Sequence, residues 1–494
     1  MSVGTRSLLV GVDLGTTVCK ALVFDAELRV LSAASRHLSL STLSGTEIEQ
    51  DAEGWWVAVQ EVVRESLHAP ECDARHVVGL SVSSQGISFV PVDGRGVPLR
   101  RAFSWLDTRA IEQRRRILKM FGVDQIFSIT GKRCHETYLL PKLLWFQQNE
   151  PSIWKKCRRI LMPLDFIIAR LTGEYATDHT MASGTMLYDI AGQRWSSPIL
   201  DAFGLDGGML PEIRWGGTPV GGLRAEAAES LGLPRDATVS MGGQDQKVAA
   251  LGAGIDLKKC TISLGTAMAI TQKCEKPVID PQMRIPCFTD LLPGRWVLEG
   301  SAVCCSILDW AKQTFFPGLS DEELNRMAHE AKDQVHPPLL LPFFSGASAP
   351  FHDPAARGTL HGLDLSTTPG QIVRSIYEGV AFLVRANLEV IETISRPVEG
   401  LRIFGGGSRS DVWCGIIADV VQSPVSALAT PESASVGAGI LAGMGSNVFE
   451  RIEDAFTHLA VRISYEPRTQ NARRYDDMYG EFQRLSGMLL QHGG

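Results

Sequence analysis

Near the start of the chain, an aspartate and two threonines have the types and spacing of a phosphate-binding turn. Asp13 ends an apolar run, Gly15, Thr16 and Thr17 follow it, and Lys20 comes three residues later. Glycine lets backbone N–H groups point at phosphate oxygens, hydroxyls add donors, and a carboxylate can hold Mg²⁺ through water. The segment predicts a phosphate site, but an ordinary tight β-turn uses the same residues, so both interpretations stay open.

The same arrangement returns about half the chain length later. Ser263, Leu264, Gly265 and Thr266 lie between two apolar runs, as the first turn does. Two strand-like runs joined by a Gly/Thr turn predict a β-hairpin in each half, and the second hairpin would supply the facing side of a phosphate clamp. A repeat of this kind predicts two lobes of related architecture.

A glycine-rich segment in the second half suits a nucleotide. Gly405, Gly406 and Gly407 separate a strand-like run from a helix-like run, and Ser410 lies where the helix begins. Flexible backbone beside a helix N-terminus favours phosphates or adenosine. The alternative is a strand-to-helix turn that needs positive φ angles. No GxxxxGK[ST] motif occurs, so a P-loop is excluded.

Polar residues that follow apolar runs are candidates for catalysis. Asp245 comes after Gly242 and Gly243, which would let it approach a ligand closely and accept a hydroxyl proton, as phosphoryl transfer requires. Asp107 has a second interpretation as the N-cap of a helix that starts near residue 109. We interpret Asp178–His179 as a solvated loop pair, because no Ser or Cys nucleophile motif accompanies it.

Strand-like and helix-like segments alternate along the chain, which is typical of an α/β protein with helices over a central sheet. We predict strands over 77–83, 87–92 and 401–404. We predict helices over 51–67, 109–121, 141–149, 225–231, 307–316, 369–393 and 411–421. Residues 337–354 are predicted to form a long proline-rich loop, and the lobe boundary is placed within 241–246.

Composition bounds the class of protein. The chain has 494 residues, 44% hydrophobic and 21% charged, so it can bury sizeable cores and exceeds a single small module. The formal charge of −7 argues against a nucleic acid or an anionic membrane as partner. No apolar run reaches the ~20 residues of a membrane span, and no secretory signal is recognised, so we expect a cytoplasmic protein. The ten cysteines lack zinc or disulfide spacing.

Eight segments, taken in order over essentially the whole chain, carry a family resemblance. They are GVDLGTT at 11–17, EQD at 49–51 before WW at 55–56, WLDTR at 105–109, PKLLW at 141–145, LTGE at 171–174, GGQD at 242–245, SLGT at 263–266 and GGGSRS at 405–410. Together they resemble the FGGY carbohydrate kinase family, and most closely its xylulokinase-like branch. A single such match would mean little, but eight in register are specific.

The resemblance implies an α/β fold of two actin-like, hexokinase-type (ribonuclease H-like) lobes around a central cleft. Residues 1–244 would form an N-terminal lobe that binds the sugar and carries the first phosphate hairpin. Residues 245–494 would form a C-terminal lobe that binds ATP, with a helix on the ATP side over 299–310. The resemblance also implies Mg²⁺, cleft closure and a possible homodimer.

Residue by residue, the resemblance assigns roles to positions that match the family motifs. Asp245 matches the catalytic base, and Asp13 matches the aspartate near the metal and the γ-phosphate. The positions that match phosphate or nucleotide contacts are Thr16, Thr17, Lys20, Gly265, Thr266, Gly406, Gly407 and Ser410. The positions that match sugar contacts are Gln85, Trp105, Asp107, Asp245 and Gln246.

The implied activity is ATP-dependent phosphorylation of a terminal hydroxyl of a small ketose, with a pentulose such as xylulose favoured. Asp245 would act with the pKa of an exposed aspartate, already ionised at neutral pH. Gly86, Ile87 and Ser88 stand where xylulokinases have Met-His-Gly, so an imidazole is missing and a small glycine would leave room for another ketose or a polyol. The alternatives are a polyol kinase of the erythritol or glycerol type, and a sugar- or nucleotide-responsive binding protein without turnover.

Overall fold

Two mixed β-sheets, one from each half of the chain, organise the computed structural model, which describes residues 7–333 and 337–490. The strands of the first sheet lie in the order Pro219–Gly221, Thr238–Gln244, Val77–Ser84, Leu8–Leu14, Val18–Phe24 and Val30–His37. The strands of the second lie in the order Cys287–Thr289, Trp296–Val303, Ala267–Cys274, Lys259–Leu264, Gly400–Phe404, Val425–Leu428 and Val461–Tyr465.

Both predicted hairpins are present, and the two sheets are built alike. Leu14 pairs with Cys19 across the first hairpin, and Leu264 pairs with Met268 across the second, both antiparallel. In each sheet the first hairpin strand also runs parallel to a later strand, Val77–Ser84 in one half and Gly400–Phe404 in the other. The prediction of two lobes with related architecture is confirmed.

Helices cover the sheets, and several have local start signals. Asp51 caps Ala52–Ser66 by accepting a hydrogen bond from the Glu53 N–H, as the predicted helix over 51–67 requires. The helices are Ala52–Ser66, Ile111–Thr130, Leu139–Asn149, Pro151–Trp154, Pro163–Thr172, His179–Ser183, Ser197–Phe203, Ala225–Leu231, Asp245–Gly252, Cys305–Phe315, Asp321–Glu330, Pro369–Ile394, Asp411–Val421, Ser433–Gly445, Ile452–Phe456 and Ala472–Leu489. Within the described ranges, no helix is both long and apolar enough to span a bilayer.

Short strands form smaller pairings outside the two main sheets. They are Ser41–Thr42, Ile48–Gln50, Val90–Val92, Ala102–Phe103, Arg159–Leu161, Ala176–Asp178, Tyr188–Asp189, Arg194–Trp195, Glu212–Arg214, Leu339–Leu341 and Thr359–His361. One of them, Leu339–Leu341, lies inside the segment predicted as a loop over 337–354, where it pairs with Thr359–His361.

Two predicted elements begin with a backbone structure that differs from the one expected. The strand predicted over 87–92 begins only at Val90, because residues 85–88 make a tight turn in which the Ser88 N–H donates to the Gly86 carbonyl. The helix predicted over 299–310 begins at Cys305. Residues 299–303 belong instead to the strand Trp296–Val303, which pairs antiparallel with Ala267–Cys274 along its whole length.

The helix Ser433–Gly445 comes from the second half of the chain but packs on the first sheet. Its glycines permit close backbone approach, because a Cβ at Gly437 would lie 2.0 Å from the Val248 carbonyl oxygen. Val436 and Ile440 share a buried cluster with Leu9 and Val248. The contacts of this helix with Leu9 join the two halves behind the strand Leu8–Leu14.

We expect Gly437→Ala to destabilise the protein. The added methyl group would overlap backbone that cannot rotate away, and overpacking of this kind costs about 1–3 kcal/mol or more. The control is Gly480→Ala in the exposed face of Ala472–Leu489, where a Cβ meets no atom within 4 Å. There alanine should stabilise the helix by about 1 kcal/mol. Thermal unfolding compares the two, and an unchanged midpoint for Gly437→Ala would contradict the packing argument.

Candidate active site

The candidate catalytic carboxylates lie where parallel strands of the first sheet end. Asp13 is opposite Ser83, and Gln244 is opposite Ser84, so the ends of three neighbouring strands meet at one edge. Asp245 directly follows Gln244 and begins the helix Asp245–Gly252. Ligand sites of α/β proteins commonly form at this edge, where strands give way to loops and helix N-termini.

Asp245 has one occupied and one open carboxylate oxygen. Its Oδ1 accepts the Gln246 backbone N–H at 2.7 Å and also a hydrogen bond from the Gln244 side-chain amide. Its Oδ2 has no hydrogen-bond partner within residues 7–333 and 337–490. The side chain is therefore held at one oxygen while the other can accept the proton of a ligand hydroxyl.

The pKa of Asp245 is far from that of an exposed aspartate. Burial raises it to about 7, and the negative charge of Asp13 adds to the rise. Burial likewise raises the pKa of Asp13 to about 6, against the lowering effects of the Ser83 hydroxyl, which donates to Asp13 Oδ1 at 3.0 Å, and of Lys20. The expectation of an ordinary pKa was wrong, because sequence does not reveal that two carboxylates share one buried edge.

The raised pKa predicts a pH dependence. A base must be ionised to act, so protonation of Asp245 removes activity as the pH falls below about 7. We expect kcat/KM for the acceptor to rise with pH between 5.5 and 8, about tenfold per unit on the acidic limb. Initial rates at saturating MgATP measure it, with protein stability checked at each pH. A profile that stays flat down to pH 5 would contradict this assignment.

Two predicted sugar contacts hold the first hairpin turn. Gln85 donates from Nε2 to the Gly15 carbonyl at 3.3 Å, and Trp105 donates from Nε1 to Thr16 Oγ1 at 2.8 Å. Trp105 is 39% exposed, which leaves part of its ring open to solvent. Gln50 also donates to the Thr16 carbonyl, at 2.9 Å. The sequence indicated Gln50 only as part of the EQD segment, and its contact with the first hairpin turn is visible only in the structure.

Asp107 does not face an open cleft. It is 0% exposed, its Oδ2 accepts the Ile48 N–H at 2.8 Å, and the Arg109 guanidinium pairs with both of its oxygens. The helix predicted to start at 109 begins at Ile111, so Asp107 is not its N-cap either. The carboxylate instead ties the loop that carries Trp105 to the strand Ile48–Gln50.

Gln246 contacts the other half of the chain. Its Oε1 accepts a hydrogen bond from Ser263 Oγ at 3.1 Å, beside the second hairpin turn. The ammonium of the next residue, Lys247, pairs with Glu299 at 2.8 Å and lies over the Phe288 ring. Sequence reasoning missed Lys247 because a lysine among alanine and valine gives no motif. These contacts attach the helix that begins with Asp245 to the second sheet.

The two segments predicted to bind nucleotide converge. Gly405 has a φ of 90°, and a Cβ there would lie 2.8 Å from the Leu264 carbonyl oxygen, just before the second hairpin turn. A Cβ at Gly407 would contact the Leu264 side chain at 2.9 Å, whereas Gly406 faces open space. Thr266 is exposed at the tip of its turn. Backbone and hydroxyl donors thus line one surface that can take phosphates.

Ser410 and Lys20 are already engaged. The Ser410 hydroxyl accepts the Trp413 N–H at 3.1 Å and donates to Asn325, so it caps the helix Asp411–Val421 rather than facing the loop's open side. Lys20 lies opposite Asp13 on the neighbouring strand, 4.0 Å from the Glu432 carboxylate. A phosphate role for Lys20 stays a prediction.

Asp178 and His179 are buried and structural, so their interpretation as a solvated pair was wrong. Asp178 is 0% exposed and accepts hydrogen bonds from the N–H and hydroxyl of Thr180 at 2.7 and 2.6 Å. The Thr180 hydroxyl in turn accepts the Gln244 N–H at 2.8 Å, and His179 stacks on Trp215. This chain of contacts positions the strand end from which Asp245 follows.

The two similar sheets, with a carboxylate pair between two Gly/Thr hairpins, define the class of two-lobed, actin-like sugar kinases. Comparison with protein families specifies it further. The family models for the N-terminal and C-terminal domains of the FGGY family of carbohydrate kinases match residues 8–252 and 260–446. The chain therefore belongs to the FGGY family of carbohydrate kinases.

Similarity extends over the whole length of individual proteins. The xylulose kinase of Lactococcus lactis subsp. lactis is 30% identical over 478 residues, 95% of each chain. The solved structure of the xylulose kinase of Rhodospirillum rubrum matches with a TM-score of 0.89 at 27% identity. The match includes 98% of this chain and 99% of the Rhodospirillum rubrum chain. The gluconate kinase of Lactobacillus acidophilus has a TM-score of 0.92 at 23% identity over 98% of both chains, which shows the fold alone.

Proposed function

We propose that this chain is an ATP-dependent kinase that phosphorylates a terminal hydroxyl of a small ketose, with a pentulose such as xylulose as the favoured acceptor. The observation that carries the proposal is the open Oδ2 of Asp245, held between the two hairpin turns beside a second carboxylate. Full-length similarity to proteins named xylulose kinase supports the acceptor class.

The residues present would divide the reaction among them. Asp245 Oδ2 would take the proton of the terminal hydroxyl as its oxygen attacks the γ-phosphorus in line. Backbone and hydroxyl donors at Thr16, Thr17, Gly265 and Thr266 would hold the phosphates, and the loop at Gly406 the rest of the nucleotide. The open ring of Trp105 and the amide of Gln85 would bound the sugar side, with Asp107 fixing the loop that carries Trp105.

The site fits Mg²⁺ held by few protein ligands. Within the described ranges, no group of three or more His, Cys, Asp or Glu side chains could hold a metal ion. Mg²⁺ with ATP needs only one or two carboxylates, because phosphates and waters complete its shell. Asp13, whose pKa burial raises to about 6, is a carboxylate that a cation would stabilise. When bound, Mg²⁺ would neutralise charge on the transferring phosphoryl group.

The finer assignments are part of the same proposal. Residues 1–244 would carry the sugar side and 245–494 the nucleotide side; the N-terminal family match continues to residue 252 and the C-terminal match begins at 260, a short way beyond this boundary. The cytoplasmic location and the homodimer stay predictions. A polyol acceptor is the second candidate, since the departure at residues 86–88 lies against Gln244, the residue before Asp245.

An acceptor panel tests the proposal. MgATP-dependent ADP release is measured with pentuloses, hexuloses, tetritols, pentitols and glycerol, with phosphate transfer to the acceptor verified by mass spectrometry. We expect one pentulose to give the highest kcat/KM. A polyol with the highest value would favour the second candidate. ATP binding without turnover of any acceptor would contradict the proposal and support a binding protein.

A further inference from the structure

The space beside Gly86 is filled rather than open. A Cβ at this position would lie 2.9 Å from Gln244 Cγ and 3.5 Å from its Nε2, so the Gln244 side chain lies directly against the glycine. The expectation that Gly86 leaves room for a different acceptor is therefore wrong in this form. The long side chain of Gln244 fills the volume that a side chain at residue 86 would occupy.

The turn that carries Gly86 is held in an unfavourable backbone conformation. Ile87 has a φ of 54°, which a β-branched residue rarely adopts, and its side chain packs against Gly184. The Ser88 hydroxyl accepts the Trp105 N–H at 2.9 Å and so fixes the other end of the turn. Strain of this kind persists only where surrounding contacts impose it, and it is concentrated at functional sites.

Only one of the two polar atoms of the Gln244 side-chain amide makes a hydrogen bond among the described residues. Its nitrogen donates to Asp245 Oδ1, while its oxygen is buried and has no hydrogen-bond partner within the part of the chain that the structure describes. An unpaired buried acceptor raises the free energy of the ligand-free site. The residue as a whole is only partly buried, so a ligand donor that approaches Asp245 can reach this oxygen after a small shift of the side chain.

We propose that Gln244 is a specificity-determining residue whose amide oxygen accepts a hydrogen bond from the hydroxyl next to the one that is phosphorylated. This inference rests on the proposed function. The reacting hydroxyl would lie on Asp245 Oδ2, and the adjacent hydroxyl of the same carbon chain would then lie within hydrogen-bond reach of the Gln244 amide, which contacts Asp245 Oδ1. The acceptor class is therefore a terminal vicinal diol of defined configuration.

A thermodynamic cycle tests this pairing by removing the Gln244 amide and the adjacent hydroxyl of the acceptor, first separately and then together. The variant is Gln244→Met, which keeps length and volume but cannot accept the hydrogen bond. The substrate change is the best acceptor of the panel against its analogue without the adjacent hydroxyl. We expect wild-type kcat/KM to fall roughly 10–100-fold with the deoxy analogue, and Gln244→Met to fall similarly with the full acceptor but little further with the analogue.

Controls separate this role from structural damage. Gln125→Met makes the same chemical change on the exposed face of Ile111–Thr130 and should leave both substrates unaffected. Gly86→Ala displaces Gln244 without altering it and should reproduce the loss of discrimination, which keeps the test decisive if Gln244→Met folds poorly. Equal penalties for the missing hydroxyl in wild type and both variants would overturn the role of Gln244 alone. Absence of wild-type turnover on every acceptor would overturn the proposed function instead.

Discussion

Replacing Asp245 with asparagine is expected to lower kcat by roughly 10²–10⁴-fold, because an amide cannot take the proton of the attacking hydroxyl. Asparagine keeps the shape of the side chain, and its oxygen can still accept the Gln246 N–H that now reaches Oδ1 at 2.7 Å. The fold and the binding of acceptor should therefore survive. ADP release measures turnover, and titration calorimetry measures acceptor affinity.

The matched control is Asp236→Asn. This aspartate lies nine residues earlier on the exposed loop before the strand Thr238–Gln244, so the same chemical change should leave kcat within about twofold. Full turnover by Asp245→Asn would refute its assignment as the base. Equal losses in both variants would indicate damage to the strand rather than to the chemistry.

Asp13→Asn is expected to lower kcat by roughly 10²–10³-fold and to raise the Mg²⁺ concentration needed for half-maximal rate. The neutral amide removes the carboxylate that would hold Mg²⁺ at the end of the first strand. Because the charge of Asp13 raises the pKa of Asp245, the acidic limb of the residual activity should also move to lower pH. Rates are measured against Mg²⁺ at fixed ATP and against pH.

The two readouts of the Asp13 variant exclude a purely structural effect. Damage to the fold would lower kcat without moving the acidic limb of the pH profile. Asp124→Asn, on the exposed surface of Ile111–Thr130, is the control for loss of one negative charge and should change neither readout. An unchanged Mg²⁺ requirement in Asp13→Asn would contradict its role at the metal.

Local sequence patterns predicted the elements well. The two hairpins, the helices over 225–231 and 411–421, and the capped helix after Asp51 depend on neighbours a few residues apart, and the structure has them where the patterns indicate. The strand expected over 87–92 failed because strained Ile87 belongs to a turn imposed by contacts from distant segments. Apolar residues in a short run cannot distinguish these cases.

Motif spacing also singled out Asp13 and Asp245 as candidate site residues, because their residue types and the nearby glycines can be recognised in the sequence alone. It could not show that burial raises the pKa values of both carboxylates, or that the charge of Asp13 raises the pKa of Asp245 further, since both effects depend on which strand ends meet. Nor could it show that Asp107 accepts hydrogen bonds from Arg109, or that the Ser410 hydroxyl caps the N-terminus of the helix Asp411–Val421.

The sequence by itself determined that this protein has two related α/β lobes with a Gly/Thr hairpin in each, and it predicted Asp245 as the base. These properties are encoded in short segments whose backbone hydrogen bonds are local. Only the tertiary structure decided what surrounds that aspartate. Gln244 lies against Gly86, 158 positions earlier in the chain, and Lys247 on the helix Asp245–Gly252 pairs with Glu299 on the second sheet. Such contacts follow from how whole elements pack, and no segment contains both partners.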